Sequence, residues 1–224
     1  MSEEELDELC RHCPTLYHMA EQGSWESIRA NGLLSTSALL DRYGITGDQR
    51  DSVESRRRST SVHLHHPELG SAVVRDQLPM DDSGLIRCLD KGLQPSDWYR
   101  VLNRKVFFWL TRDRLVRLLS AGTYRAQEHD VLELQTRPLV EAYRGNVWLC
   151  PMNSGCTKPF PHRRGHGTFR RIPDYPYEDW CAKRSRGERV VELAVDYAVP
   201  DVEKFVTRAV RMRAGKQLGV IFEA

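Results

Sequence analysis

The chain has 224 residues, of which 40% are hydrophobic and 29% are charged, and its formal net charge is +2. This balance excludes a disordered or fibrous protein, and the length suits a single domain over residues 1–224. The longest purely apolar run, residues 106–110, is far shorter than the ~20 residues of a membrane-spanning helix, and the acidic N-terminus is unlike a secretory signal. We therefore expect a cytoplasmic protein with no membrane partner.

The N-terminal part of the sequence predicts short strands and helices. Residues 1–9 indicate either a short acidic helix or a loose end, and residues 15–19 are typical of a buried strand. Ser24 as an N-cap and Gly32 as a stop signal predict a helix between them. A further short helix is predicted to open at Ser35.

Two segments that follow predict irregular structure. Residues 44–62 are polar and rich in Arg, Ser and Gly, which is typical of a mobile loop, and the histidine-rich residues 63–66 extend this polar stretch. Residues 67–100 are also predicted to be irregular, because prolines and an Asp-Asp pair interrupt them repeatedly.

Regular patterns return in the second half. The continuous apolar run 106–110 suits a buried strand, and Asp113 is predicted to cap a helix that Gly122 closes. Residues 190–199 alternate with period 2 and predict a strand with one strongly apolar face. Further strands are predicted at 131–134, 147–149, 205–212 and 217–222. Together these elements predict an α+β domain with short strands, few short helices and long loops.

The six cysteines are expected to be reduced thiols, because the sequence shows no export signal. Cys10 and Cys13 have the Cys-x-x-Cys spacing, but a zinc site usually needs a second pair of ligands, and no second Cys-x-x-Cys follows. We therefore expect no metal site.

Three features are candidates for a functional site. His18 follows Tyr17 at the end of a predicted strand, where its ring could donate an N–H to a hydroxyl group; a satisfied buried histidine is the alternative. Residues 56–58 are consecutive arginines, which grip phosphates unless they only form a solvated loop. Glu192 is either a partly desolvated carboxylate on a central strand or an outward residue on a half-wet sheet.

The order of these features resembles the ADP-ribosyltransferase-like fold, in particular the DarT type, toxin enzymes that ADP-ribosylate DNA bases. The residues that carry the resemblance are, in chain order, Tyr17-His18, the helix from Trp25 to Asn31, Gly32-Leu33-Leu34-Ser35, the arginines 56–58, the aromatic strand 106–109 and Glu192 ahead of Val199-Pro200. The chain is also similar to uncharacterised bacterial proteins described only as a domain of unknown function.

The resemblance implies a split mixed β-sheet core and an NAD-dependent ADP-ribosyltransferase with NAD as a substrate. It implies that Glu192 stabilises the oxocarbenium-like state and activates the acceptor. The NAD-binding residues that it implies are Tyr17, His18, Arg56, Arg58, Phe107 and Trp109. A nucleic acid, DNA or RNA, is the implied acceptor, and an antitoxin or an ADP-ribosyl hydrolase is the kind of partner that accompanies such toxins.

Two other functions fit the same residues. The chain could be a non-catalytic nucleic-acid-binding module on a degenerate version of this fold, or an RNA 2′-phosphotransferase-like enzyme that also consumes NAD. Residues 158–189 carry nine Lys or Arg against four Asp or Glu, as expected of an anion-binding face. We predict that His18 and Glu192 face one cleft and that the basic stretches 56–66 and 158–189 flank it.

Overall fold

A computed structural model describes all residues, 1–224. Its helices are α1 (Glu3–His12), α2 (Trp25–Asn31), α3 (Thr36–Arg42), α4 (Gly47–Glu54), α5 (Asp82–Cys88), α6 (Pro95–Asn103), α7 (Arg112–Ser120) and α8 (Thr136–Ala142). Its strands are β1 (Thr15–Glu21), β2 (Leu33–Leu34), β3 (Val62–His66), β4 (Gly70–Val74), β5 (Lys105–Trp109), β6 (Glu128–Gln135), β7 (Val147–Cys150), β8 (Arg170–Arg171), β9 (Glu192–Asp196), β10 (Ala198–Val199), β11 (Val206–Arg213) and β12 (Lys216–Glu223).

An eight-stranded sheet lies at the centre, in the order β12-β11-β6-β1-β5-β9-β7-β8. The predicted α+β class is confirmed. The expectation of a mixed sheet is wrong, because neighbouring strands in this sheet are antiparallel throughout. Each strand runs opposite to its neighbours, so no parallel crossover connection is required.

The central sheet is split between β1 and β5. These strands pair at one position, Tyr17 with Trp109, whereas β1 pairs with β6 along its whole length from Thr15 to Glu21. Beyond that position the Phe107 carbonyl of β5 accepts a hydrogen bond from the ring of His18 rather than from a main-chain amide. The sheet therefore consists of two four-stranded halves with a gap between them.

Helices cover both halves of the sheet. The largest apolar core joins α1, α2 and α8 to the strand faces that carry Leu16, Phe108 and Leu193. A second core packs α5 and α6 against β7, and α7 packs on the opposite face of β1. Each fully buried Leu or Phe contributes about 1.5–3 kcal/mol, so these layers fix the strands that border the gap.

Most of the predicted elements are confirmed, with shifted ends. The helix after Ser35 begins as expected, since the Ser35 hydroxyl accepts a hydrogen bond from the Ala38 amide at 3.2 Å. Ser24 precedes α2 but its side chain makes no capping bond. Helix α7 is preceded by Thr111, so Asp113 lies within the first turn instead of capping it.

The two segments predicted to be irregular contain most of the errors. Residues 44–62 hold helix α4, and the histidine-rich residues 63–66 lie in strand β3, which forms a hairpin with β4. Residues 67–100 also contain α5 and the first part of α6. Pro95 opens α6 instead of breaking it, because the first turn of a helix needs no amide donor from that position.

None of the helices is long and apolar enough to cross a membrane. All six cysteines have free thiols, and Cys10 and Cys13 are buried. No group of three or more His, Cys, Asp or Glu side chains is placed to hold a metal ion.

Candidate functional site

The gap between β1 and β5 opens into a cleft made of two adjoining cavities, each of ≈ 260 Å³. One is lined by Glu192 and is called here the Glu192 cavity; the other is lined by Ile28, Leu33 and Tyr43 and is called the apolar cavity. The residues that line both are His18, Met19, Thr36, Arg58, Arg75, Asp76, Lys105 and Phe107.

His18 lies on the wall shared by the two cavities. Its Nδ1 is 2.9 Å from the Phe107 carbonyl oxygen, which can only accept, so Nδ1 carries the proton. Burial lowers the pKa of His18 to about 4, and the ring is therefore neutral at pH 7 with Nε2 as an unprotonated acceptor. The prediction that the ring donates to a ligand hydroxyl is wrong for this tautomer, because the single N–H is already bonded to the Phe107 carbonyl and only the acceptor Nε2 remains.

Glu192 begins strand β9 and is 4% exposed. Its Oε2 accepts a hydrogen bond from the main-chain amide of Ser154 at 3.1 Å. Desolvation raises the pKa of Glu192 to about 7, against the lowering effects of the Ser154 hydrogen bond and the positive charges of Arg164 and Arg114. The carboxyl group is thus poised between its acid and base forms at neutral pH, as acid–base chemistry requires.

The predicted juxtaposition of His18 and Glu192 is confirmed, since both line the Glu192 cavity. The two residues are 174 positions apart in the sequence. They lie near each other because β1 and β5 pair at one position and then separate, so that a gap forms in the middle of the sheet.

The arginine run at 56–58 does not supply a free guanidinium to the cleft. Arg56 is exposed and lines neither cavity. Arg58 lines both, but it is buried and its donors bind the carbonyls of Val53 and Arg75 and the Asn103 side chain. Arg58 thus ties α4 and α6 to the β3–β4 hairpin, which corrects the expectation that these arginines form a phosphate-gripping loop.

Arg75, which the sequence did not single out, is an arginine at the cleft with a donor that no protein group uses. It follows β4, lines both cavities and donates to His129 Nδ1 at 3.1 Å. Its guanidinium lies 5.3 Å from the ring centre of Tyr124, while its buried Nη2 has no hydrogen-bond partner. The apolar run before Arg75 could have indicated a strand that ends in a basic residue.

Lys105 is a second cation that the sequence analysis missed. Its ammonium group lies 2.6 Å from an Asp196 carboxylate oxygen and 4.7 Å from the ring centre of Trp148, and it lines both cavities. Asp196 also pairs with Arg171 at 2.9 Å. Two cations therefore share one carboxylate, and of these two only Lys105 lines the cleft.

Of the three aromatic residues predicted to bind NAD, two line the cleft and one does not. Phe107 lines both cavities and Trp109 lines the Glu192 cavity. Tyr17 lines neither, because its ring packs with the buried residues under α7, including Leu115. Strand alternation alone does not decide this, because the adjacent residues His18 and Met19 both line the two cavities.

The basic stretch 158–189 also lies apart from the cavities, contrary to prediction. None of its residues lines either one. Several of its arginines are used internally: Arg189 pairs with Glu8 and Glu178, and Arg164 binds main-chain carbonyls.

Comparison with known proteins gives one match. A model described as "Family of unknown function (DUF7002)" matches residues 14–206. The chain belongs to the DUF7002 family. No curated protein and no solved structure matches the chain.

The DUF7002 match covers the whole cleft. It begins just before β1 and ends at the first residue of β11, so His18, Arg75, Lys105 and Glu192 all lie inside it. Helix α1 and strand β12 lie outside the DUF7002 match. The residues that border the gap in the sheet are therefore part of the unit that defines this family.

Proposed function

We propose that this DUF7002 protein is an NAD-dependent ADP-ribosyltransferase with an ADP-ribosyltransferase-like fold, and that its acceptor is a nucleic-acid base. One observation carries the proposal: a buried carboxyl group with a pKa of about 7, Glu192, shares a cleft with the neutral acceptor His18. The split in the sheet supports the proposal, because the resemblance to DarT-type enzymes implies a split core, although the strands here are antiparallel and not mixed.

His18 orients NAD in this proposal. Its Nε2 accepts a hydrogen bond from a ribose hydroxyl, while the Phe107 carbonyl holds Nδ1 and so fixes the ring. A hydroxyl that donates to this fixed acceptor has a better defined orientation than one that faces water, because the His18 ring does not need to reorient when the ligand binds.

Arg75 takes the role that the sequence analysis gave to Arg56 or Arg58. The unpartnered Nη2 of Arg75 provides a donor for one oxygen of the NAD pyrophosphate, and Lys105 adds a second positive charge on the same wall. Hydrogen bonds between charged partners are roughly twice as strong as neutral ones, which favours a dianionic ligand here.

Glu192 is the catalytic residue of the proposal. The bond between nicotinamide and ribose C1′ breaks, nicotinamide leaves with the electron pair, and the negative Glu192 carboxylate stabilises the positive charge that develops on the ribose. The acceptor nitrogen or oxygen then bonds to C1′, and its proton passes to Glu192. A pKa near 7 suits a group that is charged in one step and takes up a proton in the next.

The choice of a nucleic acid as acceptor rests on the loop at 158–163. Phe160 is 82% exposed there, between the exposed Lys158 and Arg163. An exposed aromatic ring beside cations is typical of surfaces that stack the bases of single strands. Binding through such a surface is expected to weaken steeply with salt, because phosphate contacts release counterions.

The test uses NAD labelled on its adenylate phosphate, incubated with the protein and single-stranded DNA, duplex DNA, RNA or a protein lysate. We expect label on a nucleic acid with the wild type, and a rate lower by ~10²–10³-fold with Glu192→Gln, which retains NAD binding. The control is Glu4→Gln, an exposed glutamate on α1 outside the family match.

The outcomes separate the candidate functions. Transfer by Glu192→Gln at the wild-type rate removes Glu192 from the mechanism. Release of nicotinamide only with 2′-phosphorylated RNA, without label on the RNA, assigns the phosphotransferase reaction instead. Nucleic-acid binding without any NAD binding assigns a non-catalytic module.

A further inference from the structure

Arg164 is a buried cation with an unusual set of partners. Its side chain is 1% exposed, yet no carboxylate lies within 4.0 Å of its guanidinium. All of its hydrogen bonds go to main-chain carbonyls: Nε donates to His162, Nη1 to Ser154 and Nη2 to Cys156, at 2.9–3.0 Å. Its positive charge is therefore compensated by main-chain dipoles and by the face of the Trp98 ring, whose centre lies 5.8 Å from the guanidinium carbon, and by no carboxylate.

Dipoles compensate a buried charge only in part. Removal of a guanidinium from water is expensive, and a protein interior usually repays it with a carboxylate in direct contact. Arg163, the next residue, shows the ordinary arrangement, because it is 85% exposed and pairs with Asp90. The charge of Arg164 thus forms no ion pair. Its electrostatic effect falls on the neighbouring groups instead.

The main chain of Ser154 connects Arg164 to Glu192. The Ser154 amide donates to Glu192 Oε2, and the Ser154 carbonyl accepts from Arg164 Nη1 at 2.9 Å and from the indole N–H of Trp98 at 3.2 Å. Arg164 therefore fixes the residue that holds the carboxylate, and its charge acts on Glu192 from behind that residue.

Three other groups near Glu192 carry either no charge or a charge that is paired elsewhere. Cys150 on β7 is opposite Glu192 and would add negative charge if it ionised, but burial raises its pKa well above the ordinary value, so the thiol is neutral. Arg114 on α7 forms an ion pair with Glu188. His18 across the cavity is neutral at pH 7.

We propose that Arg164 is a positioning residue for Glu192: it clamps the Ser154 main chain that binds the carboxylate, and its positive charge, which no carboxylate neutralises, favours the ionised form of Glu192. This inference rests on the proposed function, in which Glu192 must be negative when positive charge develops on the ribose. It also gives a role to one arginine of the basic stretch 158–189 that the cleft itself does not use.

The experiment measures the ionisation of Glu192 directly, by ¹³C NMR of protein labelled at the glutamate side-chain carboxyl, with Glu192→Gln used to assign the signal. The variants are Arg164→Gln, which removes the charge but keeps an amide donor, and Arg164→Lys, which keeps the charge with fewer donors. Arg163→Gln is the matched control, and Trp98→Phe removes one hydrogen bond to Ser154 without a change of charge.

We expect the Glu192 titration midpoint to rise by about one pH unit in Arg164→Gln, since a nearby opposite charge typically lowers a carboxyl pKa by 1–3 units and Arg164 acts from one residue further away. The midpoint is expected to stay within about 0.3 unit of wild type in the other three variants, because Arg163→Gln changes an exposed charge, Trp98→Phe changes no charge and Arg164→Lys keeps the charge. The carboxylate fraction at pH 7 would fall several-fold in Arg164→Gln.

Each result decides the inference. An unchanged midpoint in folded Arg164→Gln overturns it, and so does an equal rise in Trp98→Phe, because the effect would then come from the loop alone. If Arg164→Gln does not fold, Arg164→Lys decides: a wild-type midpoint supports the role of the charge, and a rise of a full unit contradicts it. None of these measurements needs NAD, so the proposed transferase activity can fail while this inference stands.

Discussion

The burial of Glu192 predicts a stability effect that grows with pH. A carboxyl group with a pKa of about 7 in the folded protein and 4.5 as the ordinary value favours the folded state only while it is protonated. Stability from this group is complete below pH 4.5 and is lost as the pH rises through 7. Glu192→Gln keeps the shape of the side chain and removes the charge, so the variant is expected to be more stable than wild type at high pH.

The size of the effect follows from the two pKa values. The ionisation of Glu192 destabilises the folded state by about 1 kcal/mol at pH 5 and about 3 kcal/mol at pH 8. Its upper limit is about 1.36 kcal/mol for each unit by which the pKa is raised. Glu192→Gln should therefore gain about 2 kcal/mol on wild type between pH 5 and pH 8. The Ser154 amide keeps an acceptor in the Gln carbonyl oxygen, so no hydrogen bond is lost.

Urea unfolding at pH 5 and pH 8, followed by tryptophan fluorescence, measures this difference. Other titrating groups are common to both proteins and cancel in the comparison. Glu4→Gln, on the exposed face of α1, should differ from wild type by less than about 0.5 kcal/mol at both pH values. If the difference in free energy of unfolding between Glu192→Gln and wild type is the same at pH 5 and pH 8, the ionisation of Glu192 does not destabilise the folded state and the prediction is refuted.

Two further predictions concern the cleft walls. Gly32→Ala should destabilise the protein by ~3 kcal/mol or more in urea unfolding, because Gly32 has φ +80° and a Cβ would lie 2.5 Å from the Pro200 backbone; Gly122→Ala, which meets no neighbouring atom, is its control. His18→Phe should weaken NAD binding about 10-fold or more in calorimetry, because the ring acceptor is lost from a buried site, and an unchanged dissociation constant would exclude His18 from the ligand contacts.

The part of the site on the central sheet could be predicted from the sequence. His18 and Glu192 were identified because their strands are continuous or alternating apolar runs, and such local patterns survive in the folded sheet. The split of the sheet was expected from resemblance alone, since no local pattern determines where two adjacent strands cease to pair.

The cationic wall could not be predicted in the same way. Arg75, to which the sequence assigned no role, takes the place expected for Arg58, because β3 and β4 form a hairpin that buries Arg58 and leaves Arg75 at the cleft. The contact of Arg75 with His129 joins residues 54 positions apart, and it depends on tertiary packing. The position of Tyr17 could not be read from strand alternation, because Met19 shares its face of β1 and still lines both cavities.

The gap between β1 and β5 places two strand edges inside the molecule. Unpaired amides and carbonyls on an outer edge invite a strand from another chain, and proteins normally protect such edges because they lead to aggregation. Here the edges face one another across a cleft of two ≈ 260 Å³ cavities, and the His18 ring already occupies one carbonyl. Main-chain groups that border the gap are thereby accessible to a small molecule, whereas a strand from another chain would find an open edge of this sheet only at the outer strands β12 and β8.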